Sequence, residues 1–177
     1  MCCKMCCKID IYKIISIFII IVLLLALIIL SLNCSNMSEK SILTAVAENG
    51  DNTEVGNAII KYSKNSIVEG NAISHEEGSS EFKINESGIY QISYQLFGIN
   101  NSPENTFNFN AVILINGSPL NSTLNSSPAL RDNVNNRMTL TSTVILSLNA
   151  GDIVQLGGLS LENIVYQDSR MDIVKIQ

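Results

Sequence analysis

An uncharged apolar run near the N-terminus constrains this chain more than any other feature. Residues 14–32 read IISIFIIIVLLLALIILSL, which is 19 residues with no charge and two serines. As a helix the run is about 28 Å long, close to the ~30 Å hydrocarbon core of a bilayer. In lipid, a helix is the way a single segment satisfies its own backbone hydrogen bonds. The sequence therefore predicts a transmembrane helix over residues 14–32.

The charges on either side of this run predict its orientation. Lys4, Lys8 and Lys13 precede it, whereas Glu39 and Lys40 roughly cancel after it. The positive-inside rule places the N-terminus in the cytoplasm and the rest of the chain outside the cell. The predicted order is a short basic, Cys-rich cytoplasmic segment over residues 1–13, a signal-anchor helix over 14–32, a linker over 33–41 and an extracellular domain over 42–177.

Two other fates of the apolar run stay open. A cleaved signal peptide has an apolar core of about 7–15 residues, which is shorter than this run. A bacterial lipoprotein would be cut just before Cys34, but Asn33 is bulkier than the usual small residue, and Ser31 stands where leucine is expected. Removal of the run would leave a secreted or spore-surface structural protein instead of an anchored one.

All the cysteines lie in this N-terminal head, so the body must fold without disulfides, and its length suffices for that. The run CCKMCC suits S-acylation beside a membrane, or a thiolate metal site. Its C-x-x-C spacing lacks a second pair that would complete four ligands, and reduced thiols without a role are the other interpretation. Cys34 has no partner within the chain and would cross-link two copies if oxidised. The cysteines are Cys2, Cys3, Cys6, Cys7 and Cys34.

Charge and histidine content exclude several classes of function. The net charge is −5, and after Cys34 the chain holds 8 basic and 15 acidic residues. Binding of duplex phosphates needs a basic face, so nucleic-acid binding is not expected. The single histidine, His75, has no credible nucleophile to activate, so we expect neither enzyme activity nor a cofactor.

Two acidic clusters are weak candidates for metal binding. His75-Glu76-Glu77 lies in a loop-like stretch, and we interpret its histidine as an exposed loop residue. Three aspartates lack the spacing of a calcium-binding loop. No metal site is therefore predicted. The aspartates are Asp132, Asp168 and Asp172.

The rest of the chain has the pattern of short strands. Asn, Gly, Ser and Pro recur at intervals of about 8–12 residues, which is typical of an all-β sandwich or barrel. The clearest strand is GIYQISYQLFG, residues 88–98, in which Tyr90 and Tyr94 share the apolar face. The segment FNFNAVILING, residues 107–117, is apolar on both faces. Such a strand is expected at a sheet centre or a subunit contact.

Turn signals connect the later strands. Asn116-Gly117 predicts a type I′ hairpin, after which Leu120–Leu124 is expected to return as the partner strand. Gly151-Asp152 suits a turn because glycine tolerates positive φ and aspartate bonds its own backbone. We interpret both pairs, and Gly88 before the clearest strand, as structural. Further strands are expected at Ile153–Leu156, followed by Gly157-Gly158, and at Arg170–Ile176.

Three motifs in this order resemble one known family. They are GIYQISY at residues 88–94, AVILING at 111–117 and LNAGDIVQL at 148–156. Together they resemble the jelly-roll domain shared by tumour necrosis factors (TNF) and the globular heads of complement q subunits. They look closest to the head domain of bacterial collagen-like exosporium glycoproteins. The resemblance covers about residues 42–177, but the collagen stalk of the exosporium and complement members is missing here.

This resemblance implies an all-β, two-sheet antiparallel jelly-roll sandwich of the TNF type, following the N-terminal transmembrane helix. It also implies a homotrimer that recognises an extracellular protein or glycan, displayed at the cell surface. Loops within Ser118–Asn136, away from the membrane, are the expected binding region. Apolar residues that would fill the core or form the trimer contact are Tyr90, Tyr94, Phe107, Phe109, Val112 and Leu114.

Overall fold

The computed structural model describes residues 11–34, 40–48, 58–100, 109–127, 137–159 and 164–177. The chain divides into two compact units, Met1–Glu39 and Lys40–Gln177. Cys2, Cys3, Cys6 and Cys7 lie outside the described residues, as does most of the predicted linker.

The N-terminal unit contains one helix, α1, Ile11–Cys34. Its large apolar side chains between Ile14 and Ile29 are exposed. The helix predicted from the apolar run is thus present. However, none of the helices in the described residues combines the length and apolarity needed to cross a membrane, so a transmembrane helix over residues 14–32 is not supported.

In its described residues, the second unit, which we call the β-domain, is built of strands and one short 3-10 turn. The turn is Asn121–Thr123, in place of the strand expected over Leu120–Leu124. There Thr123 Oγ1 donates to the carbonyl of Leu120 and accepts from the amide of Ile113. These side-chain hydrogen bonds take the place of the backbone hydrogen bonds that a strand would make with β7. The described strands are β1 Ile42–Ala47, β2 Ala58–Ile59, β3 Lys64–Glu69, β4 Ile73–His75, β5 Phe82–Ile84, β6 Gly88–Asn100, β7 Phe109–Ile115, β8 Ser118–Pro119, β9 Asn125–Ser127, β10 Arg137–Leu148, β11 Ile153–Leu159 and β12 Ile164–Lys175.

These strands form two antiparallel sheets. Sheet A has the order β10-β6-β12-β1-β3. Sheet B has the order β4-β5-β11-β7-β8, with β2 beside β11 and β9 beside β7. Among the described strands every pairing is antiparallel, as the sequence predicted.

The core lies between the two sheets. On β6 the alternating residues Tyr90, Ile92, Tyr94 and Leu96 all point inward and are buried. Sheet B meets them with Phe109, Ala111 and Ile113 of β7 and Val154 and Leu156 of β11. Burying each large apolar side chain contributes about 1.5–3 kcal/mol, so this core supports a domain without disulfides.

One end of the sandwich, which we call the base, is tied together by hydrogen bonds between turns. The amide of Gly151 donates to the carbonyl of Ile84, and the amide of Lys175 donates to the carbonyl of Ser41. The hairpin at Ser118–Pro119 also lies at the base, because Ser118 pairs with Ile115 at the end of β7. The predicted binding region over Ser118–Asn136 therefore begins at the base, and its residues 128–136 lie outside the described part of the chain.

Candidate functional site

Three of the predicted core or trimer residues fill the sandwich. Tyr90, Tyr94 and Phe109 are buried among the core side chains of both sheets. The Tyr90 hydroxyl donates to the carbonyl of Glu86, which satisfies it at the base. Burial raises the pKa of both tyrosines, so their hydroxyls stay neutral. Phe107 lies outside the described residues.

The other two candidates, Val112 and Leu114, lie on the outer face of sheet B. Val112 is 2% exposed, and Leu114 leans over Gly157 of the neighbouring strand. Val112 pairs with Gly157, which pairs in turn with Ile59 of β2. Leu124, 51% exposed, precedes β9 beside them. The two-sided apolarity of β7 thus reflects a narrow apolar stripe outside the core.

A larger apolar surface covers the base half of the outer face of sheet A. Ile145, Gln91, Val174 and Ile42 align in one cross-strand row over β10, β6, β12 and β1. Ile145 is 61% exposed. Five aliphatic side chains make up this surface, which we call the aliphatic patch: Ile42, Ile89, Ile145, Val174 and Ile176.

Sequence reasoning missed this patch. The inward residues of β10 alternate with outward threonines and serines, and Ile145 stands among these outward residues. One isoleucine in a polar row is a weak signal by itself. The apolar row is apparent only from the register of sheet A, which places Val174 two strands from Ile145 and Ile42 three strands from it.

The other half of that face is polar. Ser93 and Thr143 share a hydroxyl–hydroxyl bond of 3.0 Å across β6 and β10. Asp172 accepts from Thr44 Oγ1 at 2.6 Å and from Arg170 Nε at 2.9 and 3.0 Å. An open groove of about 440 Å³ runs between these side chains. Its charges are paired within the chain.

The acidic residues proposed for metal binding do not converge. Within the described ranges, no three His, Cys, Asp or Glu side chains are grouped so as to hold an ion. Asp132 lies outside those ranges.

His75 lies at the end of β4 and is half-buried, so its interpretation as an exposed loop residue is wrong. The imidazole stacks on Phe82 with ring centroids 4.3 Å apart. Nδ1 lies 2.7 Å from Asn65 Oδ1, and Nε2 lies 3.1 Å from the carbonyl of Ser79. The sequence could not show this, because Phe82 reaches the ring only through the pairing of β4 with β5.

This environment favours the neutral ring. Burial lowers the pKa of His75 and outweighs the opposing effects of the Ser79 carbonyl and the carboxylates of Glu77 and Glu76. His75 therefore binds protons less readily in the folded state than in the unfolded chain. The neutral ring and its stacking are part of the native packing.

Folding stability is accordingly expected to depend on pH through His75. Its contribution is fully present above the unfolded pKa of about 6.5 and declines as the pH falls from there toward the lower folded pKa. Urea unfolding at a series of pH values should show this decline in the wild type. The decline should be smaller in His75→Gln, which cannot titrate. Equal pH slopes in the two proteins would contradict the assignment.

Asn116 and Asp152 join two turns at the base, and we call this pair the clasp. Asn116 Nδ2 donates to Asp152 Oδ1 at 2.9 Å, and Asn116 Oδ1 accepts the amide of Ile153 at 2.9 Å. Asp152 Oδ2 accepts the amide of Asn149 at 2.8 Å. Donation from Asn116 is the main cause that lowers the pKa of Asp152.

The turn backbones need residues that accept positive φ. Asn116 has φ +53° and Gly117 +76°, which fits the hairpin predicted from Asn-Gly. Gly151 has φ +96° in the second turn. Glycine is required at position 88 for a steric reason, because a Cβ there would collide with the carbonyl oxygen of Gln177.

Comparison with known proteins identifies the fold. No protein family model and no curated protein sequence matches the chain. The structure is similar to murine APRIL at pH 8.0, with TM-score 0.56 and 14% identity over 78% of this chain and 100% of that chain. It is also similar to PRD1 vertex protein P5, with TM-score 0.54 and 13% identity over 79% of this chain and 99% of that one.

These similarities confirm the predicted TNF-like jelly roll. A second structure of murine APRIL, at pH 5.0, gives TM-score 0.57 and 15% identity over 78% of this chain. At such identities the likeness concerns the fold alone. The closer resemblance to exosporium heads stays a prediction.

Proposed function

We propose that the β-domain is the head of a homotrimer that is displayed outside the cell for ligand recognition, adhesion or surface structure. The aliphatic patch on sheet A carries this proposal. Its five members are all isoleucine or valine, and they lie together around Gln91 at the base half of one sheet face. Contiguous apolar surface on a soluble domain marks an interaction site.

The charge distribution restricts where a second copy can dock. The sequence after Cys34 carries 8 basic and 15 acidic residues, so net charge opposes contact between two copies except where the surface is uncharged. None of the five patch side chains is charged, so contact there costs no desolvation of an ion. The resemblance to the TNF-like family implies a homotrimer, in which three jelly rolls pack around one axis.

Replacing Ile145 by lysine is expected to convert the trimer to monomer. Ile145 is the most exposed large aliphatic side chain among those described in the β-domain. A lysine there would place three like charges in an apolar contact, which desolvation and repulsion both oppose. Analytical ultracentrifugation of residues 40–177 at micromolar concentration measures the change.

Leu124→Lys is the matched control, because Leu124 is also half-exposed but lies by sheet B. It should leave the trimer intact. A wild-type monomer would contradict the homotrimer itself. A trimer lost in Leu124→Lys and kept in Ile145→Lys would move the contact to sheet B.

The location outside the cell rests on the sequence. An uncharged run of 19 residues follows three lysines, a pattern common to anchors and export signals. Mass spectrometry of the mature N-terminus tests the proposal. Met1 or Cys2 at the terminus indicates retention of the run, a diacylglyceryl-modified Cys34 a lipoprotein, and a start just beyond Cys34 secretion. An unprocessed chain that stays wholly soluble in the cytoplasm would contradict export.

A surface-assembly role is the second candidate. The similarity to PRD1 vertex protein P5, whose name describes it as a vertex protein, favours it. A recognition head binds a soluble protein or glycan as an isolated trimer, whereas an assembly component acts within a larger layer. Binding of purified trimers to glycan arrays, compared with their recovery in detergent-resistant surface layers, separates the two roles.

A further inference from the structure

We propose that Asn116 is a site of spontaneous deamidation, that the clasp with Asp152 controls its rate, and that its conversion opens the clasp. Asn116 is exposed and is followed by Gly117. Apart from its two chain neighbours, none of the described residues places a heavy atom within 4 Å of the position that a Cβ on Gly117 would take. The junction is therefore open to water and free of steric protection.

The chemistry needs only the chain and water. The backbone nitrogen of Gly117 attacks Cγ of Asn116 and forms a new C–N bond. The bond from Cγ to Nδ2 breaks, and Nδ2 leaves as ammonia with the proton lost from the Gly117 nitrogen. Water then opens the cyclic imide at either carbonyl, which gives aspartate or isoaspartate.

The clasp opposes the first step. Both ends of the Asn116 amide are held, Nδ2 by Asp152 and Oδ1 by the amide of Ile153. Asp152 is itself fixed by the amide of Asn149. Attack on Cγ requires the amide group to rotate, so both hydrogen bonds must break first. The folded protein should therefore react more slowly at Asn116 than the unfolded chain does.

Deamidation of Asn116 would replace its hydrogen bond to Asp152 by electrostatic repulsion. The amide hydrogen that Asn116 donates to Asp152 is lost, and a second carboxylate stands in its place 2.9 Å away. Like charges at this distance oppose each other. Isoaspartate would also add a methylene to the backbone of a two-residue turn. The tie between the β7–β8 and β10–β11 turns at the base would open in either case.

The rate test compares the full-length wild type with Asp152→Ala, in native buffer and in urea, at mildly alkaline pH. Peptide mass spectrometry that resolves aspartate from isoaspartate follows Asn116. We expect Asn116 to react about tenfold more slowly in the native wild type than in urea, because two hydrogen bonds must break. Native Asp152→Ala should react about threefold faster than the native wild type and still more slowly than in urea, because the bond from the Ile153 amide to Asn116 Oδ1 remains.

Asn49-Gly50 is an internal reference in the same digest. Its native rate should be the same in wild type and Asp152→Ala, which controls for differences in buffer and handling, and circular dichroism of the two native proteins separates local opening at Asn116 from global unfolding. If Asn116 reacts equally fast in native buffer and in urea, or if Asp152→Ala leaves its native rate unchanged, control by the clasp is wrong.

The product test uses substitutions in place of ageing. Asn116→Asp should lower the urea midpoint of unfolding. Adding Asp152→Asn should restore most of that loss. In the double variant the amide at position 152 donates to the carboxylate at position 116, so the hydrogen bond forms in the opposite direction. A merely structural role for Asn116 would not give this rescue. An unchanged midpoint in Asn116→Asp, or no recovery in the double variant, would overturn the opening of the clasp.

Discussion

Replacing Gly158 by alanine is expected to destabilise the β-domain by about 3 kcal/mol, the upper part of the usual cost of overpacking a core. Gly158 lies in β11 with its missing side chain directed at the ring of Tyr166. A Cβ there would overlap two ring carbons and come within 2.6 Å of the hydroxyl oxygen. Tyr166 is fully buried and packs near Phe109, so the ring has little room to retreat.

Gly157→Ala is the matched control in the same strand. A Cβ on Gly157 would meet the Cδ1 atom of Leu114 at 2.9 Å on the outer face. That methyl group is the end of a flexible side chain, so we expect a change within about 1 kcal/mol. Urea unfolding followed by circular dichroism compares the three proteins. Equal losses in both variants would show that the glycines matter for the backbone and not for the space beside Tyr166.

The burial of Tyr166 supplies a second readout. Burial raises the pKa of its hydroxyl to about 12. If Gly158→Ala displaces the ring toward solvent, spectroscopic titration should show this tyrosine ionising at lower pH than in the wild type. In Gly157→Ala its titration should stay as in the wild type.

The same two glycines show where sequence reasoning stops. Ile153–Leu156 was predicted as a strand followed by Gly157-Gly158, whereas β11 continues through both glycines to Leu159. Glycine usually weakens a strand. Here the ring of Tyr166 takes the space beside Gly158, and this depends on a residue in another strand. A contact between residues of two different strands, such as Gly158 and Tyr166, cannot be predicted from the sequence around either residue.

Other parts of the fold followed from local pattern. The alternation of β6 predicted which of its residues share one apolar face, because a strand buried on one side must alternate. The Asn-Gly hairpin appeared at its predicted place, because positive φ at both residues is a local demand. These two features depend on neighbours in the chain. The jelly-roll architecture was instead implied by the resemblance of three motifs to the TNF-like family.

The candidate interaction surface was not predictable in the same way. Ile42, Ile145 and Val174 are far apart in sequence and meet only through the strand order of sheet A. Tyr90 and Tyr94, for which the sequence left core and trimer contact open, lie in the core. Alternation tells which residues share a face, but it does not tell which face another sheet covers.

Replacing Phe82 by alanine is expected to cost about 3–5 kcal/mol, the usual range for deleting a buried phenylalanine. Phe82 is fully buried on β5, which lies between β4 and β11 of sheet B. Its ring meets Tyr62 edge-on, with centroids 5.2 Å apart, and stacks on His75. Truncation would leave a cavity beside both rings. Lys83→Ala, at the adjacent exposed position, should change stability by less than about 0.5 kcal/mol.

The Phe82 variant also tests the environment of His75. Burial lowers the pKa of the imidazole, and Phe82 covers one of its faces. Water that reaches the ring in Phe82→Ala should bring its pKa back toward about 6.5. Titration of the single histidine by NMR measures this directly in the variant and in Lys83→Ala. A large loss of stability with an unmoved pKa would show that Phe82 fills the core without shielding His75, and the pH dependence predicted for the wild type would then need another source.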